Sequence, residues 1–134
     1  MSIQTAIRIR LANRPGELVK LTTKLAQAGI NLEAGSGIAT GTEGTLELLT
    51  NDTTKAEQIL RDQGITFNET KVTLAWIPEK IGGLAEAIKP LSEAGINIDA
   101  LYLVRAEGNQ NLVAIGTDNP EKADKLLSTR GGSK

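Results

Sequence analysis

Neither cysteine nor histidine occurs anywhere in the 134 residues. Their absence excludes disulfides, thiolate nucleophiles and zinc centres of the Cys/His type. Ser-His-Asp and Cys-His catalysis go with them, as does acid–base chemistry by imidazole. Carboxylates, lysine or magnesium remain as catalytic means, but the composition disfavours an enzyme, and neither a metal nor a cofactor is expected. Aromatics are scarce at 2% (Phe67, Trp76 and Tyr102), so Leu, Ile, Val and Ala must build the core. No charge sign dominates: 15 basic and 16 acidic residues lie interspersed, for a net charge of −1. That leaves no basic footprint for nucleic acid and no polybasic segment for anionic lipid. No apolar run approaches the length of a membrane span, and Met1-Ser2-Ile3-Gln4 opens no signal peptide, so the expected compartment is the cytoplasm. With 40% hydrophobic and 23% charged residues, the composition is that of a globular chain.

What is present is a repeat. Leu25-Ala-Gln-Ala-Gly-Ile-Asn-Leu32 returns 66 positions later as Leu91-Ser-Glu-Ala-Gly-Ile-Asn-Ile98. A period this long, occurring twice, denotes a duplicated small domain, since solenoid repeats are shorter and more numerous. Domains of about 65 residues bury only about 60% of the surface that their unfolded chains expose, so two of them gain from sharing a core or a sheet.

In the first copy, Ile7, Ile9 and Leu11 alternate with Arg8 and Arg10, which predicts a strand over 5–11 with one face buried and one wet. Asn13-Arg14-Pro15-Gly16 is turn chemistry. Leu18, Leu21, Leu25 and Ala28 follow at helical spacing, and Gly29 supplies a left-handed stop. Strands are predicted over 30–40, where Gly35 and Gly37 weaken the pattern, and over 45–50, joined by a hairpin at 40–44. A helix over 55–63 follows. Residues 65–77 are extended throughout, closing the first repeat and opening the second. The second copy repeats the order with a turn at 78–83, a helix over 84–94 interrupted by Pro90, a strand over 98–105, a strand over 111–115, and a helix that Asn119 caps and Pro120 begins.

The fold class that follows is α+β: two tandem ferredoxin-like βαββαβ repeats, antiparallel sheets with helices on one face. Repeat one spans 1–70, a shortened repeat two spans 71–130, and 131–134 is a disordered tail. Nothing after Leu127 has strand character, so the second repeat lacks its last strand or shares another.

Asn13-Arg14-Pro15-Gly16-Glu17-Leu18 after a strand, with Ala28-Gly29-Ile30-Asn31 closing the following helix, resembles the ACT domain, a regulatory module that typically binds amino acids between two copies. The resemblance covers residues 5–128 and is stronger in repeat one. It implies a free-standing tandem ACT protein without catalysis of its own, which binds an amino acid at the interface between repeats. A homodimer through ACT sheets or helices is implied as well, with a metabolic enzyme as a possible partner, and no role with nucleic acid or membrane. Elementary chemistry agrees with a site at the turn. A helix start offers unpaired N–H groups to a carboxylate, Gly16 permits close approach, Pro15 wastes no donor, and the Asn13 amide can meet both ends of an amino acid.

The implied ligand-binding residues are Asn13, Arg14, Pro15, Gly16, Glu17 and Leu18, their counterparts Gly82 and Gly83, and Asn31, Asn97 and Asp99 from a neighbouring domain's second strand. Repeat two departs from the pattern, with Lys80-Ile81-Gly82 where repeat one has Arg14-Pro15-Gly16. If one repeat alone binds, it is the first. The alternative reading is an interaction module that docks on an enzyme without ligand.

Overall fold

A computed structural model describes residues 2–130; the expected tail at 131–134 lies outside them. The elements are β1 (Ile3–Ala12), α1 (Glu17–Gln27), β2 (Leu32–Thr40), β3 (Glu43–Thr50), α2 (Thr53–Asp62), β4 (Phe67–Pro78), α3 (Gly83–Glu93), β5 (Ile98–Glu107), β6 (Gln110–Thr117) and α4 (Pro120–Arg130). The chain divides into two compact units, Thr5–Thr70 and the segment from Lys71 onward together with the residues up to Gln4.

In the Thr5–Thr70 unit the strand order is β2-β3-β1-β4. Ile7 lies opposite Leu48 and Ile9 opposite Leu46, so the predicted apolar face of β1 continues onto β3. Helices α1 and α2 cover that face with Leu21, Leu25, Ala56 and Leu60, all buried against Ile7, Ile9, Ile30 and Leu48. The α1 exit follows from Gly29, whose φ of 77° lets the Ile30 N–H donate back to the Leu25 carbonyl at 3.0 Å. Asp52 caps α2, its carboxylate accepting from the Lys55 N–H at 3.1 Å.

The second face of this sheet is less wet than alternation predicts. Ala6, Leu49 and Glu47 are buried there, and the Glu47 carboxylate accepts from Arg8 Nε at 2.6 Å.

In the unit from Lys71 onward the order is β1-β4-β6-β5, and the Leu74 N–H donates to the Ser2 carbonyl at 2.8 Å. The opening residues of β1 thus supply the strand that the second repeat lacks after Leu127. Ala75, Leu91, Ile96, Ile115, Ala123 and Leu127 form the core. Pro90 does not end α3, which continues to Glu93, and Asn119 caps α4 through the Lys122 N–H at 3.2 Å. Trp76 is half-buried rather than a core residue, with the Arg105 guanidinium 5.2 Å from its ring centroid.

The two ladders match residue by residue, with one insertion. Gly37 faces Leu46 as Leu103 faces Val113, and Ile38 faces Thr45 as Arg105 faces Leu112. The repeat offset is therefore 66 through Leu103 on β5. Val104 is the extra residue, bulged out where the β5–β6 register shifts between Leu103 and Arg105.

One acid sits uneasily in the first unit. Glu57 of α2 is buried beside Glu69 of β4, with Arg61 Nη2 at 3.8 Å. Burial chiefly, and then the hydrogen bond and negative charge of Glu69, raise its pKa from 4.5, against the opposing pull of Arg61. Below the ordinary value the carboxyl is protonated folded and unfolded alike. As pH rises above it, the folded state must surrender a proton that it holds more tightly, and stability is lost. Glu57→Gln, which keeps an N–H facing Glu69 at every pH, is expected to raise Tm over the parent at about pH 8 and much less at about pH 4. A variant whose advantage is flat across that range would contradict this account.

Candidate functional site

The junction of β1 and α1 is a type II turn. The Glu17 N–H donates to the Arg14 carbonyl at 3.3 Å, Pro15 takes the second position, and Gly16 takes the third with φ 87° and ψ −13°. Any side chain at Gly16 would strain that left-handed backbone. Asn13 ties the turn to the β2–β3 hairpin twice: its N–H donates to the Thr42 carbonyl at 2.9 Å and its Nδ2 to the Gly41 carbonyl at 2.8 Å. The Asn13 Nδ2 group is thus engaged in holding the loop.

Helix α1 starts at this turn with no side-chain cap. Helices α2 and α4, by contrast, are capped by Asp52 and Asn119. The amides of the first turn of α1 open beside a groove of about 390 Å³. Its floor is Leu11, Gly44 and Leu46. One side is Asn13, Arg14, Glu17 and Leu18, and the other is Gly37, Ile38 and Ala39, with Thr45 completing it. Arg14 Nη2 donates to Glu17 Oε2 at 3.0 Å, and Lys20 Nζ stands 4.0 Å from the same oxygen. A cation and an anion therefore sit side by side at the mouth.

Of the predicted residues, Asn13, Arg14, Glu17 and Leu18 come together in this groove, with Pro15 and Gly16 forming its turn. Asn31 does not line it. It precedes β2, six residues before Gly37 and about 20 Å away along an extended strand. Its backbone is used instead: the Asn31 N–H donates to Asn51 Oδ1 at 2.9 Å, and its carbonyl accepts from the Asn51 N–H at 3.2 Å. Asn97 repeats both bonds with Asp118, and Asp99 places Oδ1 over Gly116.

The strand wall was missed by sequence reasoning. The signal for it was in the pair Gly35 and Gly37, which reads as a weakened strand and of which Gly37 lies in the groove wall.

The second repeat builds the same turn without proline. The Gly83 N–H donates to the Lys80 carbonyl at 3.0 Å, Gly82 has φ 81°, and α3 again has no side-chain cap. Its groove, of about 420 Å³, is lined by Ile77–Lys80, Leu84, Leu101, Tyr102, Leu103, Asn111 and Val113. Among the described residues no group of three or more Asp and Glu is placed to hold a metal ion.

A family model described as an ACT domain pair matches residues 1–130. The chain belongs to the ACT domain family. This ACT pair is 30% identical to a Bacteroides thetaiotaomicron protein of known crystal structure, with a TM-score of 0.86 over 96% of this chain and 88% of that one. It also resembles the ligand-free regulatory subunit of aspartate kinase from Thermus thermophilus, at 15% identity and a TM-score of 0.65 over 97% of both chains. Clostridium acetobutylicum aspartate kinase gives 15% identity and 0.63, over 97% of the ACT pair and 34% of the kinase. At such identity these last two are likenesses of fold alone. No curated protein matches the ACT pair.

Proposed function

We propose that the protein is a cytoplasmic amino-acid sensor, without catalysis of its own, that binds its ligand in the groove of the first repeat. The observation that carries this reading is the uncapped start of α1 beside the Arg14–Glu17 pair, in a chain that caps α2 and α4 with its own side chains. The ligand carboxylate meets the first-turn amides and Arg14, and its ammonium meets Glu17. Gly82 and Gly83 set the corresponding turn in the second repeat.

Leu18 is 51% exposed at the groove rim, which favours a homodimer in which a second copy covers it. The strand starts at Asn31, Asn97 and Asp99 are that copy's candidates for closing contacts. Signalling passes to a metabolic enzyme or to the assembly state.

A thermal-shift screen against the twenty amino acids tests the proposal. Ligand at 100 times its Kd stabilises by about 2.7 kcal/mol. Arg14→Ala and Glu17→Gln are expected to weaken binding at least about tenfold by calorimetry, which is about 1.4 kcal/mol, while leaving the ligand-free Tm unchanged. Normal affinity in both variants would remove the site from this groove.

A second reading, a docking module that works without ligand, is favoured by Ile81, Leu101 and Leu103, which are 103%, 41% and 56% exposed in the second repeat. A flat screen together with a stoichiometric enzyme partner on purification would replace the sensor by it.

A further inference from the structure

We infer that the groove of the first repeat takes an aliphatic α-amino acid and that the groove of the second takes none; this rests on the amino-acid reading above. The polar groups of the first groove all but converge on one side. Asn13, Arg14 and Glu17 come from the turn and the start of α1. The adjacent guanidinium and carboxylate, 3.0 Å apart, match the two charges of a zwitterion.

The remaining surface has a different character. Leu11, Ala39 and Leu46 face it without charge, while the ladder turns the Ile38 and Thr45 side chains to the other face of the sheet with Arg10. A charged side chain lying there would lose its hydration without gaining a partner, whereas an aliphatic one gains by burial. None of the chain's aromatic residues lines this groove, so an aromatic ligand finds no ring to stack on.

The second groove has lost both halves of this arrangement. Gly83 stands where the first repeat has Glu17, and a Cβ there would lie 2.3 Å from the Pro78 carbonyl oxygen, so no acid fits. Lys80 is engaged with Glu86 at 3.3 Å, and Glu79 accepts from Asn111 Nδ2 at 2.9 Å. On the strand wall the ladder register makes Leu101 and Leu103 the counterparts of Gly35 and Gly37. Leu103 thus stands where the first groove has the bare backbone of Gly37 in its wall.

Gly37 is the position on the strand wall where a side chain would enter the first groove, and it can be changed without rebuilding the strand. A Cβ at Gly37 would meet the Leu46 Cδ1 methyl at 3.2 Å and the Thr45 carbonyl oxygen at an ordinary 3.8 Å, whereas one at Gly35 would meet the Glu47 carbonyl at 2.8 Å.

Calorimetry on the full chain with leucine, isoleucine, valine, serine, aspartate, lysine and phenylalanine tests the inference, with Gly37→Leu, Gly37→Ala and Leu103→Ala as variants. The expected result is one aliphatic ligand bound per chain, at least tenfold tighter than serine, aspartate, lysine or phenylalanine. Gly37→Leu should lower that affinity at least tenfold and Gly37→Ala by less, with Leu103→Ala unchanged. Should Gly37→Leu fail to fold, Gly37→Ala alone must still weaken binding. A polar, charged or aromatic amino acid binding best, and sensitive to Gly37, would overturn the aliphatic assignment while the sensor reading stands. Two ligands per chain, or loss of binding in Leu103→Ala, would overturn the division of labour between the grooves. If no amino acid binds at all, the sensor reading falls and the inference falls with it.

Discussion

Leu91→Ala is expected to lower the free energy of unfolding by about 4 kcal/mol, near the upper end for a buried leucine. Leu91 is fully buried and packs with Ala75, Ile96, Ile115, Ala123 and Leu127. Two of these five neighbours are alanines, which have no length with which to fill the cavity, so collapse around it is poor. Denaturant titration gives the check: the midpoint should fall with the slope unchanged. Leu103→Ala, at a position 56% exposed, should move the midpoint little. A loss below about 2 kcal/mol for Leu91→Ala would mean that this core is looser than its packing indicates.

Arg8→Ala carries the next largest effect, about 3 kcal/mol, because it removes the cation from a buried ion pair. The Glu47 side chain is 7% exposed and accepts from Arg8 Nε at 2.6 Å, and Arg8 itself is 27% exposed. The asymmetry between the partners is testable. Glu47→Gln leaves an arginine that can reach water and should cost less than Arg8→Ala, which leaves the charge at the more buried partner. Chemical denaturation of the two variants measures that difference. Equal costs for the two variants would indicate that the pair behaves as an ordinary surface ion pair.

The order of elements was legible because it rests on local chemistry. Glycines at 29 and 95 stop helices, Asn119-Pro120 starts one, and the alternation of Ile7, Ile9 and Leu11 sets a strand face. The source of the second repeat's outer strand was not legible. The bond between Leu74 and Ser2 joins the starts of the two repeats, far apart in sequence, and local pattern carries no information about such pairing. Burial of the second sheet face around Ala6, Leu49 and Glu47 escaped for the same reason: arginines at 8 and 10 read as wet until a partner for one of them is known. At the candidate site the turn could be read directly, since Pro-Gly in that position specifies a type II turn whether or not a ligand is present. The opposite wall could not, because its distinguishing property is the lack of a side chain at Gly37.

Val104 has a consequence for descent. Side chains alternate along a strand, so an extra residue that stayed in the ladder would turn every later side chain of β5 to the other face. Bulged out, it confines a one-codon difference between the two halves of the gene to a single hairpin. Each half can then accumulate changes under its own selection after duplication, and Arg105 shows one result, lying over Trp76 at the ladder position that Ile38 occupies in the other half. An ancestral pair of identical pockets can in this way become one pocket that is maintained and one that is free to be recruited.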